Sequence, residues 1–274
     1  MLLSLDSGLS ALEQFQQQLN VISNNIANVN TVGFKSSDMN FEDTLSETIG
    51  SNAAGSTQIG TGVATSSITS DFSTGSLNST GVQSNLAING SGFFNVKDPV
   101  SGNTYATQDG SFTVDPNGYL ITSSGMRVQG YTDAGLTTLG DVQINNTGAP
   151  NADTAAVQSY SIGTDGTVSV ELTDGTTFTR GQVLLQNYTD PQQLVKAGDN
   201  LYSNLTAATP LAAPVAGGSN GLGKIVSGSL EMSNVDLASQ LTALITTQSA
   251  YSANSKVITT SDDILQTLIN MKQG

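Results

Sequence analysis

Side chains that perform the commonest enzyme chemistry are missing from this chain. Its 274 residues include no cysteine and no histidine. Thiolate nucleophiles, disulfides and thiolate metal sites are therefore excluded, as are a Ser-His-Asp triad and His-ligated zinc or iron. The carboxylates of Asp262 and Asp263 are adjacent in sequence, so they point to different faces of a helix and do not suit paired-carboxylate catalysis. We expect no catalytic residue, no cofactor and no metal site.

Two kinds of motif resemble ligand-binding loops but lack residues that the ligand requires. The segment "GSNGLGK", Gly218–Lys224, has the spacing G-x-x-x-x-G-K of a phosphate-binding loop. The next residue is Ile225 instead of the Ser or Thr that binds magnesium, and no strand and helix flank the loop, so we interpret it as a linker. The segments "TDGTVSV" and "VDPNGYL" lack the alternate oxygens and the final Glu of a calcium loop, and we interpret them as hairpin turns.

Neutral amides are concentrated near the start of the chain. The stretch "NVISNNIANVNTVGFKSS", Asn20–Ser37, alternates apolar residues with Asn and Ser and carries no charge before Lys35. Amides both donate and accept hydrogen bonds, and positions four apart lie on one face of a helix. We therefore predict that Asn24, Asn25 and Asn28 make polar contacts with helices of adjacent subunits. The alternative is that they mark a fraying helix end.

The composition favours extensive contact with other protein. Charged residues make up 11% of the chain, whereas about 25% is usual in soluble domains. Neutral polar groups, which take their place, cost less to bury than ions. The net charge is −14 with only eight Lys and Arg, so we expect no nucleic-acid partner, because phosphate binding needs a basic surface. No apolar run approaches the roughly 18 residues of a spanning helix, so we expect no membrane insertion.

Both ends of the chain carry the seven-residue apolar pattern of a coiled coil. The first pattern should end near "NTVGF", with Gly33 as a left-handed cap. The second keeps its phase through "TTSDD", which favours one long helix over two, and a capping box of Ser233 and Asp236 should begin it. We expect the two helices to pair along a self-assembly seam. Its predicted members are Leu5, Leu12, Phe15, Leu19, Ile22, Ile26, Leu237, Leu241, Leu244, Tyr251, Ile258 and Leu265.

The simpler interpretation of this pattern is an isolated two-stranded coiled coil. The remaining helix faces, however, carry Gln, Asn, Ser, Thr and Ala where a solvated coiled coil has Lys and Glu. These faces favour several protein neighbours around each helix, and a helix pair that becomes ordered only on assembly.

The middle of the chain, from Val82 to Tyr188, is rich in Gly, Thr and Val with alternating apolar residues. Its turn signals are "DPNG" at residues 115–118 and the pairs Asp165-Gly166 and Asp174-Gly175. They predict antiparallel hairpins. The expected fold class is α+β, with long N- and C-terminal helices that pair as a coiled coil and an inserted antiparallel all-β domain.

Six segments resemble the flagellar hook and basal-body rod family of bacterial axial proteins. They are "SGLSAL", "NNIANVNTVGFKS", "LAINGSGFF", "DGSFTVDPNGYL", "GDNLY" and "GSLEMSNVDL", the last followed by the long C-terminal helix. They occur in the family's order and cover nearly the whole chain.

The resemblance implies a non-enzymatic structural protein whose terminal helices form an inner tube with the β domain outside it. The implied domains are a discontinuous helical inner-tube domain at 1–35 and 229–274, an extended linker at 36–81, a β-rich outer domain at 82–206 and a flexible return linker at 207–228. The implied partners are further copies of the chain and other axial proteins, namely rod, hook-cap and hook–filament junction proteins.

The resemblance also implies passage through the flagellar type III export apparatus, which removes no leader, and a place in the hook or basal body. The start "MLLSLDSGLSALEQF" agrees, because it lacks the basic leader and the small-residue cleavage site of a Sec signal peptide.

Within the family, the sequence favours a hook protein. The span between "GFKS" and "IGTGV" is short for a distal rod protein, and the ending "VITTSDDILQTLINMK" resembles hook proteins. The alternative is a rod subunit, because the chain is short for a hook protein. A distant alternative is a secreted β-rich adhesin, although the chain has no Trp and only 5% aromatic residues to form a carbohydrate platform.

Overall fold

The computed structural model describes residues 2–52, 55–149, 155–210 and 213–273. A helix lies near each end of the chain and antiparallel strands lie between them, which confirms the expected fold class. The described residues divide into two compact units. The first unit comprises residues up to Val29, Ser36–Asp71 and the residues from Val235 onward, and the second comprises Asn30–Lys35 and Phe72–Asn234.

Two helices pair in the first unit. Helix α1 spans Leu2–Ala27, and helix α2 spans Leu237–Gln273 without a break, as the continuous apolar phase predicted. The helices run antiparallel, because residues late in α1 contact residues early in α2. Gly33 has the predicted positive φ of +67°, but it lies beyond the end of α1 and does not cap it. Neither helix, over the residues described, has an apolar run long enough to span a lipid bilayer.

The first unit also contains two hairpins where we expected an extended linker. Strand β1 (Ser37–Asp43) pairs with β4 (Val63–Ser70), and β2 (Ser46–Asn52) pairs with β3 (Gly55–Gly60). Ser and Thr dominate these strands, so their apolar alternation is weak and the sequence resembles a linker. Backbone hydrogen bonds and Thr and Val propensity nevertheless suit a ladder. The predicted linker at 36–81 is corrected accordingly.

The second unit consists of sixteen strands within its described residues. They are β5 (Leu77–Ser79), β6 (Leu86–Asn89), β7 (Phe93–Lys97), β8 (Thr104–Thr107), β9 (Thr113–Val114), β10 (Leu120–Ile121), β11 (Arg127–Tyr131), β12 (Leu139–Asp141), β13 (Val157–Ile162), β14 (Thr167–Leu172), β15 (Thr177–Val183), β16 (Leu185–Gln186), β17 (Val195–Gly198), β18 (Leu201–Ser203), β19 (Lys224–Ser227) and β20 (Ser229–Glu231). A short 3₁₀ turn, Pro191–Gln193, precedes β17.

Twelve of these strands form one antiparallel sheet. The main order is β13-β14-β15-β11-β7-β8-β18-β17, with β9, β10, β12 and β16 attached at its side, while β6 pairs with β19 and β5 with β20. The predicted hairpin turns are confirmed: β9 meets β10 across "DPNG", and the two Asp-Gly turns join β13, β14 and β15. Fully buried Leu86, Phe94, Leu120, Val170 and Leu185 belong to its core.

The predicted return linker at 207–228 is also part of this unit. Ile225 has no exposed surface and Leu222 is buried, and β19 pairs with β6 along its length. A Cβ atom at Gly223 would lie 2.7 Å from the carbonyl oxygen of Asn89. The glycines therefore permit close approach of two backbones, which the composition alone did not distinguish from flexibility.

Candidate functional site

The paired helices of the first unit fit together at a glycine. A Cβ atom at Gly8 would lie 3.3 Å from Cγ1 of Ile258, so the bare backbone of α1 leaves room for this side chain of α2. Ile22, in the last two turns of α1, is 5% exposed. These residues supply apolar burial between two helices that otherwise meet through polar groups.

Polar side chains join α1 to α2 at two levels. The amide nitrogen of Asn25 donates to Oε1 of Gln240 over 3.2 Å, and the hydroxyl of Thr247 donates to Oε1 of Gln18 over 3.3 Å. Thr247 is buried and so is Ser261, one turn after Ile258. The side of α2 that meets α1 thus combines polar with apolar residues, and these bonds require one register, since a shift along the helix would leave buried groups unpaired.

The structure places the predicted seam residues in three environments. Ile22 is buried, and the other five on α1 are half-buried: Leu5, Leu12, Phe15, Leu19 and Ile26. On α2, half-buried positions are Leu244, Ile258 and Leu265. Leu237, Leu241 and Tyr251 are 37–43% exposed, so α1 does not cover them within the single chain, and their part in the self-assembly seam stays a prediction.

Large apolar side chains of α2 are instead displayed to solvent. Besides these three residues, the exposed set contains Ile245, Val257, Ile264, Leu268, Ile269 and Met271. Their exposed fractions range from 44% at Val257 to 74% at Met271. We call the nine residues together the open face of α2, and by their helical spacing they are spread around the part of the helix that α1 leaves uncovered rather than along one stripe. A single helix with this much uncovered apolar surface is unusual for a monomer and marks a contact surface.

The three predicted amides have different surroundings. Asn25 is 1% exposed, and its side chain bonds within the chain: Nδ2 donates to the carbonyl of Ser37 and Oδ1 accepts from the Ser37 amide. The side chain of Asn28 donates to the carbonyl of Asn24 in the last turn of α1. Asn25 is therefore corrected from an inter-subunit contact to an internal one. Asn24 is exposed and keeps its predicted role as a proposal.

The start of α2 is capped differently from the prediction. Asp236 is itself the cap, because its Oδ1 accepts from the amide of Ala238 over 2.9 Å and lies 3.5 Å from the amide of Ser239. Ser233 lies three residues before the cap, so the predicted capping box begins three residues too early. A lone Asp that precedes a helix carries enough signal to make this assignment.

The hairpin β1–β4 contacts α1, which the sequence did not predict. Rings of Phe15 and Phe41 meet edge to face with centroids 6.1 Å apart. The hydroxyl of Thr65 donates to Gln17 over 3.0 Å and also to Gln14. Gln14 and Gln17, which the sequence offered as outward polar residues, therefore bind the hairpin of the same chain.

Three segments of the chain match known families. The family described as "Flagella basal body rod protein" matches residues 5–35, and "Flagellar hook protein FlgE/F/G D1 domain" matches residues 87–170. The family described as "Flagellar basal body rod FlgEFG protein C-terminal" matches residues 226–271. The outer two matches include nearly all of α1 and of α2.

Similar proteins of full length are described as rod proteins. The "Flagellar basal-body rod protein FlgG" of Bacillus subtilis (strain 168) is 41% identical over 100% of both chains. The protein of the same description from Buchnera aphidicola subsp. Schizaphis graminum is 38% identical over 98% of this chain and 99% of its own. The "Flagellar hook protein FlgE" of Borreliella burgdorferi is 39% identical, but over 48% of this chain and 31% of its own.

These relatives are described as proteins of the flagellar rod and hook, so their likeness to the chain indicates a structural role. The chain belongs to the flagellar hook and basal-body rod family, and it is a structural, non-enzymatic subunit of the axial structure of the bacterial flagellum that assembles with other flagellar components.

Proposed function

We propose that the chain is a basal-body rod subunit, part of the rigid shaft of the flagellum. The observation that carries this proposal is the match to rod proteins along the entire chain, whereas the hook protein matches over less than half of it. The sequence interpretation favoured a hook, from the short span after "GFKS" and the ending of α2. Likeness over full length outweighs two short segments, so the rod replaces the hook as the main proposal.

Self-assembly into a hollow helical tube is the proposed activity, and a second copy of this chain is the proposed cover for the open face of α2. Polar bonds hold α1 to α2 and leave the large apolar side chains outside the pair. Burying each such side chain against a neighbour contributes roughly 1.5 to 3 kcal/mol. The driving force for the tube thus lies in groups that the single subunit does not cover.

Export in an unfolded state through the flagellar type III apparatus completes the proposal. A chain without cysteine forms no disulfide that would have to be reduced before threading. The seam between the helices also costs less to open than a closed core, because most of its apolar side chains are only half-buried.

Immunogold labelling distinguishes the rod from the hook. We would raise antibody against residues 82–206, which lie in the second unit, and label purified hook–basal bodies. Gold on the straight axle within the cell envelope is the expected result. Gold along the curved extracellular segment would overturn the rod proposal in favour of the hook. Gold on neither would contradict both assignments.

The role of the open face is tested by the substitution Ile264→Asp. Ile264 is 51% exposed, so the monomer should keep its helix content. We expect the critical concentration for polymerisation to rise about ten- to hundredfold, the equivalent of one lost apolar contact. Sedimentation of polymer from a concentration series measures it, and circular dichroism at 222 nm monitors the helix.

The control for this experiment is Val100→Asp, which introduces the same charge at an apolar side chain 93% exposed in the second unit. It should polymerise as the parent does. Parental polymerisation by Ile264→Asp would show that this part of α2 lies outside the assembly surface.

A further inference from the structure

A fully buried ion pair lies inside the second unit. Nζ of Lys35 is 2.6 Å from Oε1 of Glu231, and both side chains are 1% exposed. Burying two charges costs several kcal/mol per ion before their attraction offsets it. Such a pair is weak evidence of stability, and its use as a device that specifies one arrangement of the chain is better attested.

The ion pair ties together three stretches of chain. The ammonium of Lys35 also donates to the carbonyl of Ser73 over 2.7 Å, and Oε1 of Glu231 accepts from the amide of Gly75 over 2.9 Å. Lys35 is the last residue of the short segment Asn30–Lys35, which follows α1, and Ser73 follows the hairpins. Glu231 ends β20 shortly before α2. The pair therefore lies where the chain passes to and from the first unit.

The segment Asn30–Lys35 is seated in the second unit by shape as well. The amide of Gly33 donates to the carbonyl of Glu231 over 2.8 Å. A Cβ atom at Gly33 would lie 2.6 Å from the backbone nitrogen of Asp109, and the φ of +67° disfavours any side chain. The side-chain amide of Asn200 donates to the carbonyl of Val32 over 2.7 Å.

Lys196 adds a contact to the same segment. Its ammonium donates to the carbonyl of Lys35 over 3.3 Å and lies 5.1 Å from the centroid of the Phe34 ring. Contacts of this density are not needed for a simple connection between two elements. They fix the segment Asn30–Lys35 to the strands of the second unit.

We propose that the Lys35–Glu231 ion pair is a clip that holds the roots of α1 and α2 together before the helices pair. Helix α1 ends at Ala27, shortly before Lys35, and helix α2 begins at Leu237, shortly after Glu231. Fixing both roots on one rigid unit raises the effective concentration of each helix for the other, since effective concentration falls steeply as a tether lengthens. Lys35 and Glu231 are thus positioning residues.

The clip explains how a weakly packed, polar seam forms a pair in one register. Removing Lys35 leaves a buried carboxylate without its partner, which favours exposure of Glu231 and release of all three stretches. The inference concerns the subunit alone. It goes beyond the proposed rod role and holds equally for a hook subunit.

The test uses the absence of cysteine from the chain. The full chain with Gly8→Cys and Ile258→Cys places two thiols at a point of direct contact between the helices. The equilibrium between thiols and disulfide in glutathione buffers then gives the effective concentration of α1 for α2. We expect Lys35→Met to lower it at least about fivefold, from the longer tether.

The control is Arg127→Met, which removes the other ion pair of the described residues, Arg127–Asp141, whose side chains are 31% and 26% exposed. It should leave the effective concentration within twofold of the parent. Tyrosine circular dichroism in the near ultraviolet shows whether the second unit stays folded. A parental value for Lys35→Met with the second unit folded would overturn the clip.

Glu231→Gln decides the matter if Lys35→Met does not fold. The amide keeps an acceptor for the Gly75 amide and for the ammonium of Lys35 but removes the charge. A lower effective concentration in Glu231→Gln supports the clip, and an unchanged value overturns it.

Discussion

At the start of β1, the side chain of Asn25 makes the hydrogen bonds that the backbone of a neighbouring strand would make. Its amide group both donates to and accepts from Ser37, the first residue of β1, as a neighbouring strand would. The same nitrogen reaches Gln240 of α2. One buried side chain therefore joins three elements of the first unit, and no other residue type of its size carries both a donor and an acceptor in this geometry.

We predict that Asn25→Ala destabilises the first unit by about 1 to 3 kcal/mol, because the amide and carbonyl of Ser37 lose a buried partner. Denaturant unfolding followed at 222 nm measures the change. Asn24→Ala is the matched control: this side chain is exposed on the same turn, and its loss should change the stability by less than about 0.5 kcal/mol. Equal effects of the two substitutions would contradict the assigned role of Asn25.

At the residue scale, the sequence predicted that an amide near the end of α1 matters, but not what it binds. Asn24, Asn25 and Asn28 are equivalent by composition and spacing. Which of them is buried depends on where the hairpin β1–β4 packs, and the sequence of that hairpin resembled a linker. Lys35 did carry a signal, since it is the only Lys or Arg among the first 96 residues. Its partner Glu231 lies far along the chain, and no sequence signal distinguished it.

At the scale of elements, the two helices differ in what their apolar pattern means. On α1 the predicted seam is buried or half-buried throughout, because α2 and the hairpin β1–β4 both pack on this helix. On α2 the same period places polar Gln240 and Thr247 against α1 and leaves Leu237 and Leu241 exposed. A heptad pattern predicts that a helix has a contact face, but not whether the partner is in the same chain.

The turn between β11 and β12 gives a prediction about pH. The carboxylate of Asp133 accepts from the hydroxyl and amide of Thr137 and from the amide of Thr138. These bonds, led by the Thr137 hydroxyl, lower the pKa of Asp133 to about 2. Since the pKa is lowered on folding, the bonds stabilise the turn fully above about pH 4 and are lost as the pH falls through about 2.

Titration of the carboxyl carbon of Asp133 by nuclear magnetic resonance measures this pKa. Thr137→Val should raise it toward the ordinary value of 3.8 because the strongest bond is removed. Thr138→Val should not, since Thr138 donates through its backbone amide. A pKa that stays near 2 in Thr137→Val would show that the hydroxyl is not responsible.

At the scale of the whole molecule, the two units differ in how their interiors are built. The second unit has a continuous core of fully buried aliphatic and aromatic side chains. In the first unit the helices meet through polar groups and half-buried residues, and the open face of α2 is uncovered. The stability of the isolated subunit is thus unevenly distributed between the units.

We therefore predict two thermal transitions in the free subunit. The helical signal at 222 nm should be lost first, on the order of 10 °C below the near-ultraviolet tyrosine signal. Six of the seven tyrosines belong to the second unit, so the tyrosine signal reports on its core. Coincident transitions would show that the units unfold as one.

The α+β layout of the molecule was predictable, but the boundaries of its units were not. Terminal apolar periodicity and Asp-Gly turns are local signals, and the helices and hairpins that they predict are confirmed. The chain, however, enters the second unit at Asn30, returns to the first at Ser36 and leaves it again after Asp71. Those exchanges depend on the contacts of Gly33, Lys35 and Glu231, which are distant in sequence, so no local pattern records them.

The burial of Lys35 also determines the reactivity of its amine. Acylating reagents modify lysines that solvent reaches, so exposed Lys97 should react at once, while Lys35 is 1% exposed and should be spared in the folded subunit. Lys35 becomes a nucleophile only when the strands around it separate. The ratio of acylation at the two lysines, read by mass spectrometry, is therefore a covalent record of how long the second unit has spent open.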